Sequence, residues 1–328
     1  MQGRHSTGSR IRAPMLGQAS LIRTHAFGER LRSVRFGWSI PMPMSKENPT
    51  LAEKQIRPLP DGGAVAVYTF VPPGREVRGT IVVTHGMGEH AGRYVHVAER
   101  FARAGLRVFT WDLRGHGRSS GRRGDVRGYE VLTDDLHHVW ELAAASNAPN
   151  APLFLHGHST GGQIALNFAV KHRPAAEGLI ITSPWLHLAF DPPWWKVALA
   201  RLAARVWPEF TQDTEMVPAR LSRDLDFLRT LPDPELTHNR MSARMYQMLT
   251  EGGARAAREA ISLPYPALFI HGSHDPVTSV EATRQFFQLL LSKDKTLVIV
   301  PDAVHETHND LCRESVLDQI CAWVEGRL

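Results

Sequence analysis

The sequence predicts an α/β fold in which a mostly parallel sheet is covered by helices on both faces. From residue 61 onward, short β-rich segments alternate with helical ones, and the segment 80–84 contains a continuous apolar run. Alternating strands and helices are typical of parallel sheets with right-handed crossovers. A strand without polar alternation is expected where helices cover both of its faces. The 328 residues, 43% of them hydrophobic, suffice for one such core and an insertion.

The predicted elements follow one another in a regular order along the chain. The segment 64–70 alternates apolar and polar residues, as an antiparallel edge strand does. The other strands are predicted at 80–84, 107–111, 152–156, 178–183, 267–271 and 296–300. Helices are predicted at about 91–104, 129–146, 160–173, 281–291 and 311–326. This order is typical of βαβ units that share one sheet.

One interval, residues 185–262, interrupts the alternation because it is helical, contains six prolines and shows no convincing strand. It lies between two sheet strands, so we expect a helical cap at the C-terminal edge of the sheet, where open α/β sheets bind ligands. The core is then formed by residues 45–184 and 263–328. The segment 194–207 is apolar nearly all round, which is typical of a buried helix. A lid over an apolar pocket, or a lid that also touches lipid, is the alternative.

Residues 1–44 differ in composition from the rest of the chain. They hold seven arginines, no lysine and one acidic residue, and they lack an apolar run long enough for a secretory signal or a membrane span. Three interpretations are open: a disordered tail, a transit-like peptide, or sequence translated upstream of a natural start at Met44. The last is favoured. In none of them is this segment expected to carry the chemistry.

Charge and cysteine content exclude several classes of function. The first 44 residues carry a charge of +6, which leaves −1 of the total of +5 for the other 284, so no phosphate-binding surface and no nucleic-acid partner are expected. The two cysteines, Cys312 and Cys321, lie nine residues apart on one predicted helix, too far for a disulfide. Free thiols favour a cytoplasmic location. The 17 histidines show no metal-binding spacing, so neither a metal nor a cofactor is predicted.

The most informative motif is Gly157-His158-Ser159-Thr160-Gly161, which follows the apolar run 152–155 and precedes a helical pattern. A G-x-S-x-G motif between a strand and a helix is typical of a nucleophile elbow, a tight turn that presents the serine hydroxyl. The two glycines fit because a Cβ at either position would collide with the neighbouring strand and helix. Ser159 is therefore the candidate nucleophile. A structural serine in a glycine-rich turn is the alternative interpretation.

A serine hydroxyl needs a base, and the base needs an acid that orients it. On sheets of this kind the partners follow the serine in the order acid, then histidine. Asp275 comes shortly after one predicted strand, and His305 comes after the last one. His308 is the main alternative base, but it begins the next helix. Asp302 and Asp191 are the alternatives for the acid.

Acyl transfer also needs donors for the developing oxyanion. The residue after the nucleophile, Thr160, supplies one backbone N–H, and the loop 85–90 with its two glycines is expected to supply the other from Met87. The motif Asp112 to Ser119 looks like catalytic machinery, but its glycines shape a turn. We predict that Asp112 and Arg114 brace neighbouring loops.

Four pieces of the sequence together resemble the α/β-hydrolase superfamily. They are the HGMGEHAGRY stretch at 85–94, the motif at 112–119, the elbow at 157–162, and the pair Asp275 and His305. The finer pattern is similar to the monoacylglycerol lipase and lysophospholipase group of serine aminopeptidase S33-type hydrolases. The resemblance runs from about residue 52 to the C-terminus. Thr160 and Met87 stand where methionine and alanine are common, but the donors there are backbone groups.

The resemblance implies an α/β-hydrolase fold with a mostly parallel sheet of eight strands. It also implies a cofactor-independent serine hydrolase that cleaves esters of single-chain lipids. Ser159, Asp275 and His305 would form its triad, and the cap would face lipid and contact a membrane surface transiently. Because the cap is rich in tryptophan, we expect its pocket to include Trp185, Trp194 and Trp195. An aminopeptidase or a carbon–carbon bond hydrolase on the same scaffold, and a ligand-binding protein without turnover, are the alternatives.

Overall fold

The computed structural model describes residues 20–23, 51–214 and 216–328, and its centre is one nine-stranded sheet. The spatial order of the strands is β1-β11-β10-β7-β6-β4-β5-β3-β2. Their bounds are β1 Ser20–Arg23, β2 Leu51–Pro58, β3 Ala64–Phe70, β4 Gly79–Thr84, β5 Leu106–Trp111, β6 Leu153–His158, β7 Gly178–Thr182, β10 Ala267–Gly272 and β11 Lys295–Val300. The six strands from β5 to β11 in this order are parallel, which confirms the predicted sheet.

Antiparallel strands close both edges of the sheet. At one edge β3 pairs with β5 and β2 pairs with β3, which completes the expected eight strands. At the other edge Ser20–Arg23 pairs with β11 and adds a ninth strand. The eight expected strands are therefore present, and the strand from the extension is additional to them. The remaining residues of 1–44 lie outside the described residues.

Helices cover both faces of the sheet. The helices outside the insertion are α1 Val95–Arg103, α2 Tyr129–Ala145, α3 Thr160–His172, α8 Val280–Leu289 and α9 Arg313–Glu325. Side chains of β4 alternate between two buried clusters: Val82 belongs to one, and Ile81 and Val83 belong to the other. The first cluster includes side chains of α2, α3 and α8, and the second includes those of α1 and α9. This explains why β4 is buried at every position.

The insertion lies between β7 and β10, which are neighbours in the sheet. It contains α4 Trp194–Val206, β8 Thr211–Asp213, α5 Pro218–Leu221, α6 Leu225–Thr230, β9 Arg240–Ser242 and α7 Ala243–Glu259, with 3-10 turns at Pro234–Leu236 and Ala260–Ser262. The expectation of no strand here is wrong, because β8 and β9 form a small antiparallel sheet. Strands of three residues are too short to show a period of two. We propose residues 185–262 as the cap, with α7 also packing on α3 of the core.

The prediction that the segment 194–207 forms a buried helix is half right. The helix α4 is there, but none of its residues is buried. Trp194 is 81% exposed and Val206 73%, because α4 packs along one side against α7 and its other sides face outward. Among the described residues, no helix combines the length and the apolar character that a bilayer span requires.

Candidate active site

Four loops bring the predicted site residues to the C-terminal edge of the parallel strands. Ser159 directly follows β6, and Asp275 and His305 lie in the loops after β10 and β11. Met87 lies in the loop after β4, the neighbour of β6 in the sheet. Because the carboxyl ends of parallel strands meet at one edge, residues far apart in sequence converge there.

Ser159 sits in the strained turn that the elbow motif predicts. Its φ is +53°, a region that residues other than glycine rarely adopt. A Cβ on Gly157 would lie 2.5 Å from the carbonyl oxygen of Gly161, and one on Gly161 would lie 2.3 Å from that of Thr84. The Ser159 N–H donates to the Thr182 carbonyl at 2.9 Å, which ties the turn to β7. Tight packing of this kind allows a strained conformation to persist.

The three side chains Ser159, His305 and Asp275 form one hydrogen-bonded chain. The Nδ1 atom of His305 lies 2.7 Å from Oδ2 of Asp275, and its Nε2 atom lies 2.9 Å from Oγ of Ser159. The carboxylate can only accept, so Nδ1 carries the proton and Nε2 is free to accept from the serine hydroxyl. All three residues are buried. This is the geometry of a nucleophile, a base and an orienting acid.

Asp275 is held as a carboxylate by several donors. Its Oδ2 accepts from the Thr278 hydroxyl at 2.9 Å and lies 3.0 Å from Nε2 of His271. Its Oδ1 accepts from the backbone N–H groups of Val277 at 2.7 Å and Thr278 at 3.0 Å. Burial alone would raise the pKa of Asp275, but the charges and hydrogen bonds of His305 and His271 lower it well below its ordinary value. His271 and Thr278 were not predicted as site residues, although both lie within four residues of the aspartate.

The balance of forces on His305 favours a stronger base than an ordinary histidine. Burial alone would lower its pKa, but the Asp275 charge and hydrogen bond, with the charges of Glu306 and Glu89, raise it above the ordinary value of 6.5. The ring of His158 lies 4.9 Å from that of His305. Burial lowers the pKa of His158 well below its ordinary value, so its ring stays neutral near the triad.

The alternative base and acids lie elsewhere, and the expectation that His308 begins the next helix is wrong, because α9 begins at Arg313. The ring of His308 stacks on Tyr94 at 4.7 Å, and neither of its nitrogens has a hydrogen-bond partner among the described residues. Asp302 lies on the surface, 3.9 Å from His274. Asp191 is exposed. The structure therefore brings His305 and Asp275 to the serine, and none of the three alternatives.

The two predicted oxyanion donors are the backbone N–H groups of Thr160 and Met87. Thr160 is the first residue of α3, and an N–H in the first turn of a helix has no partner within that helix. In the loop after β4, the N–H of Gly86 is already taken, because it donates to Oε1 of Glu89 at 3.0 Å. The next N–H along this loop belongs to Met87, whose half-buried side chain packs on the core.

The three tryptophans predicted for the pocket separate into two groups. Trp185 is buried, and its backbone N–H donates to the Ser159 carbonyl at 3.1 Å. Trp194 and Trp195 lie at the start of α4 and are 81% and 52% exposed. Only Trp185 therefore adjoins the nucleophile directly.

The motif after β5 braces loops, as the sequence predicted. Asp112 accepts from the backbone N–H groups of Ala91 at 2.7 Å and Arg118 at 2.8 Å. Arg114 binds the carboxylate of Asp135 at 2.8 and 2.9 Å. Neither Asp112 nor Arg114 has a recorded contact with the three residues of the hydrogen-bonded chain, among the residues that the structure describes.

A buried ionic cluster that includes Glu306, the residue after His305, was not predicted from the sequence. Arg93 Nη2 lies 2.6 Å from Oε2 of Glu306, and Arg93 Nε lies 3.4 Å from Oε2 of Glu89. The sequence signal was weak: an Arg and a Glu in the 85–94 stretch and a Glu directly after His305. Ligand atoms of Glu89, Glu306 and His308 also lie within 4.8 Å of one another, a spacing that fits a metal ion. The guanidinium of Arg93 already supplies the positive charge there.

A protein family, a sequence relative and a solved structure each match most of this chain. Residues 75–312 match the model of a family described as serine aminopeptidase, S33. The chain is 31% identical over 270 residues to a monoacylglycerol lipase of Mycolicibacterium smegmatis, and the alignment covers 81% of this chain and 95% of that protein. The crystal structure of Paleococcus ferrophilus monoacylglycerol lipase matches with a TM-score of 0.73 at 30% identity, and the match covers 80% of this chain and 99% of that one.

A longer relative matches over the same region. The chain is 32% identical over 272 residues to an uncharacterized abhydrolase domain-containing protein of Dictyostelium discoideum. That alignment covers 82% of this chain but only 28% of the relative, so the chain spans little more than a quarter of its length. The family match across 75–312 and the relatives at about 30% identity show that the chain belongs to the S33 family of α/β-hydrolases, in its monoacylglycerol lipase-like group.

Proposed function

We propose that the chain is a serine hydrolase that cleaves carboxylic esters of single-chain lipids, with monoacylglycerols as the preferred class. One observation carries the proposal: Ser159, His305 and Asp275 are joined by hydrogen bonds of 2.9 and 2.7 Å at a strained elbow. A hydroxyl in this setting can be activated as a nucleophile without a metal or an organic cofactor.

In the first half of the reaction, His305 Nε2 takes the proton of Ser159 Oγ while the oxygen attacks the ester carbonyl carbon. The carbonyl oxygen becomes an oxyanion, which the N–H groups of Met87 and Thr160 stabilise. Asp275 fixes the tautomer of His305 and stabilises the imidazolium that forms. The tetrahedral intermediate then collapses, and the alcohol leaves with the proton that His305 returns.

In the second half, water attacks the acyl-serine. His305 Nε2 takes a proton from the water as the hydroxide oxygen bonds to the acyl carbon. Collapse of this second tetrahedral intermediate breaks the bond to Ser159 Oγ, which recovers its proton from His305. The products are a free fatty acid and the starting enzyme. The raised pKa of His305 suits it to both transfers, because the group must accept and then return a proton near neutral pH.

The substrate class is supported by the relatives and by the cap. The relatives from Mycolicibacterium smegmatis and Paleococcus ferrophilus are both monoacylglycerol lipases. In this chain, α4 presents several large apolar side chains to the outside, at Trp194, Trp195, Leu199, Leu202 and Val206. Exposed apolar surface of this extent marks a site for lipid or for a partner. We propose that α4 makes transient contact with a lipid surface while substrate enters.

The alternatives lack a comparable supporting observation. An aminopeptidase needs a focused acidic group to hold the substrate amine. Among the acidic residues of the cap, Glu209 lies 3.4 Å from Arg122 and 3.9 Å from Arg244, so its charge is already offset. Asp213 lies on the exposed strand β8, and Glu215 lies outside the described residues. A binding protein without turnover has no need of a complete hydrogen-bonded chain at the elbow.

The test is fatty-acid release from a series of monoacylglycerols with short to long acyl chains. Ser159→Ala is the blank, because it removes the hydroxyl and keeps the Cβ in the elbow. We expect release that depends on Ser159 and peaks at one range of chain lengths. If folded wild-type protein releases no fatty acid at any length, or if Ser159→Ala remains equally active, the proposal is wrong.

A further inference from the structure

Three charged side chains meet in the interior beside the triad. Glu89, Arg93 and Glu306 are all less than 10% exposed. One nitrogen of Arg93, Nη2, contacts both oxygens of Glu306 at 2.6 and 2.9 Å. Its Nε lies 3.4 Å from Glu89, so the guanidinium bridges two carboxylates.

Each carboxylate belongs to a different catalytic loop. Oε1 of Glu89 accepts the N–H of Gly86 at 3.0 Å and so closes the loop that carries Met87. A Cβ on Gly86 would lie 2.5 Å from that oxygen, which shows how tightly the loop is drawn in. Glu306 directly follows His305, and its Oε2 also accepts from the Asn309 side chain at 2.7 Å. The guanidinium therefore joins the oxyanion loop to the histidine loop.

Stability alone does not account for this cluster. Burying ions costs solvation energy, and apolar residues of similar volume are often as stabilising as a buried ion pair. The three side chains carry one positive and two negative charges when all are ionised. Burial and the charge of Glu306 raise the pKa of Glu89 to about 7, although Arg93 acts in the opposite direction. One reason to keep such a cluster is that it fixes the relative positions of the two loops that it joins.

We propose that Arg93 is a positioning residue, whose guanidinium holds Glu89 and Glu306 together and so fixes the oxyanion loop relative to His305. The inference rests on the proposed function, because it assigns a role within that reaction. A displacement of about 1 Å between donor and reacting atom is enough to cost about 100-fold in rate. Loss of the bridge is therefore expected to lower kcat more than it changes KM.

The cluster also acts on the base through its charge. Groups from several elements face His305. The Asp275 carboxylate contacts its ring, and His271 lies beyond that carboxylate. The neutral ring of His158 and the ionic cluster of Glu89, Arg93 and Glu306 are also close. The negative charge of Glu306 helps to raise the pKa of His305. Glu306→Gln removes that charge and should move the acid limb of kcat/KM to lower pH. A role confined to folding would leave this limb in place.

The experiment compares variants by kcat and KM on a monoacylglycerol that the wild type hydrolyses. We expect Arg93→Met to lower kcat by about 10- to 100-fold with a smaller change in KM. Arg93→Lys keeps the charge but loses the planar fork, so its kcat should lie between those of the wild type and Arg93→Met. The double variant R93M with E306L removes one charge of each sign, so its Tm should be near that of the wild type. Its kcat should stay as low as that of Arg93→Met.

Arg114→Met is the matched control. It removes another guanidinium bound to a buried carboxylate, Asp135, at 2.8 Å but away from the triad, and kcat should stay within about twofold of the wild type. Wild-type kcat in Arg93→Met, or full recovery of kcat in the double variant, would overturn the positioning role. An unmoved acid limb in Glu306→Gln would refute the action of the Glu306 charge on His305. Absence of Ser159-dependent turnover in the wild type would instead refute the proposed function, so the two failures are distinct.

Discussion

The backbone N–H of His238 donates to the carbonyl oxygen of Gly88 at 2.9 Å, which joins the proposed cap to the loop that carries Met87. Gly88 has a φ of +76°, and a Cβ there would lie 2.3 Å from the carbonyl oxygen of His238. The ring of His238 also contacts the core, with Nε2 3.2 Å from the Gly115 carbonyl oxygen. The cap and the loop of Met87 are therefore in direct backbone contact.

Gly88→Ala should lower kcat/KM, because the new Cβ must push the cap segment or the oxyanion loop out of place. A loop shift near 1 Å corresponds to a loss of about 100-fold. The matched control is Gly62→Ala, where φ is also positive at +82° but nothing lies within 4 Å of the added Cβ. Both changes cost backbone strain, which thermal unfolding measures, and only Gly88→Ala should impair hydrolysis. Equal activity in the two variants would contradict the coupling.

Asp275→Asn should lower kcat by roughly 10³- to 10⁴-fold, because an amide can stabilise the wrong tautomer of His305 and carries no charge. The fold should survive, since the side chain keeps its shape. The measurement is kcat on a monoacylglycerol together with far-UV circular dichroism. Asp302→Asn on the surface is the control and should leave kcat unchanged. A similar loss in both variants would exclude Asp275 as the specific partner of His305.

The pH profile of kcat/KM should fall on the acid side with a midpoint above 6.5, the ordinary histidine value. His305 must be neutral to accept the serine proton, and Asp275, Glu306 and Glu89 raise its pKa in the folded enzyme against the effect of burial. Activity is therefore complete at pH values above the raised pKa and is lost as the pH falls through it. A steady-state profile from about pH 5 to 9 tests this. A midpoint clearly below 6.5 would contradict it.

Phe101→Ala should destabilise the protein by about 3–5 kcal/mol, because it empties a fully buried position where α1 packs on the sheet. Urea denaturation measures the change. Leu289→Ala, at a position 60% exposed on α8, is the control and should stay within about 0.5 kcal/mol. Similar losses at both positions would mean that the second buried cluster is not packed as described.

Removing apolar side chains from α4 should weaken binding to lipid vesicles and leave the Tm nearly unchanged. The variant is Trp194→Ser with Val206→Ser, at positions 81% and 73% exposed. Vesicle sedimentation measures binding. Leu291→Ser, at a position 72% exposed beyond the core helix α8, is the control and should bind like the wild type. Equal binding by all three proteins would refute contact through α4.

The sequence was sufficient for the parallel sheet and for the order of the site loops. Strand β4 is apolar throughout its interior, and the elbow around Ser159 has a local signature, so each could be recognised within a few residues. The aspartate and histidine could be placed because each follows a predicted strand and parallel strands end at one edge. Local sequence patterns and the common edge of the parallel strands therefore suffice to predict that Ser159, His305 and Asp275 lie together.

Other features depend on partners that the sequence does not reveal. The contact between Arg93 and Glu306 spans 213 positions of the chain, and no spacing rule connects them. The apolar sequence of α4 did not indicate how many sides of the helix would pack against other elements. Strand β2 is rich in polar and charged residues, so its sequence does not show the pattern of a strand. It forms a strand because its backbone pairs with that of β3.

Because φ of Ser159 is positive, the residue that the proposed activity requires at this position is not the one that would be most stable there. The elbow favours glycine, which adopts φ +53° at little steric cost, yet glycine has no side chain that could attack an ester. Selection for a more stable fold alone would therefore remove the nucleophile. A search for stabilising substitutions in this chain should exclude residue 159, because there a gain in stability is a sign of lost function.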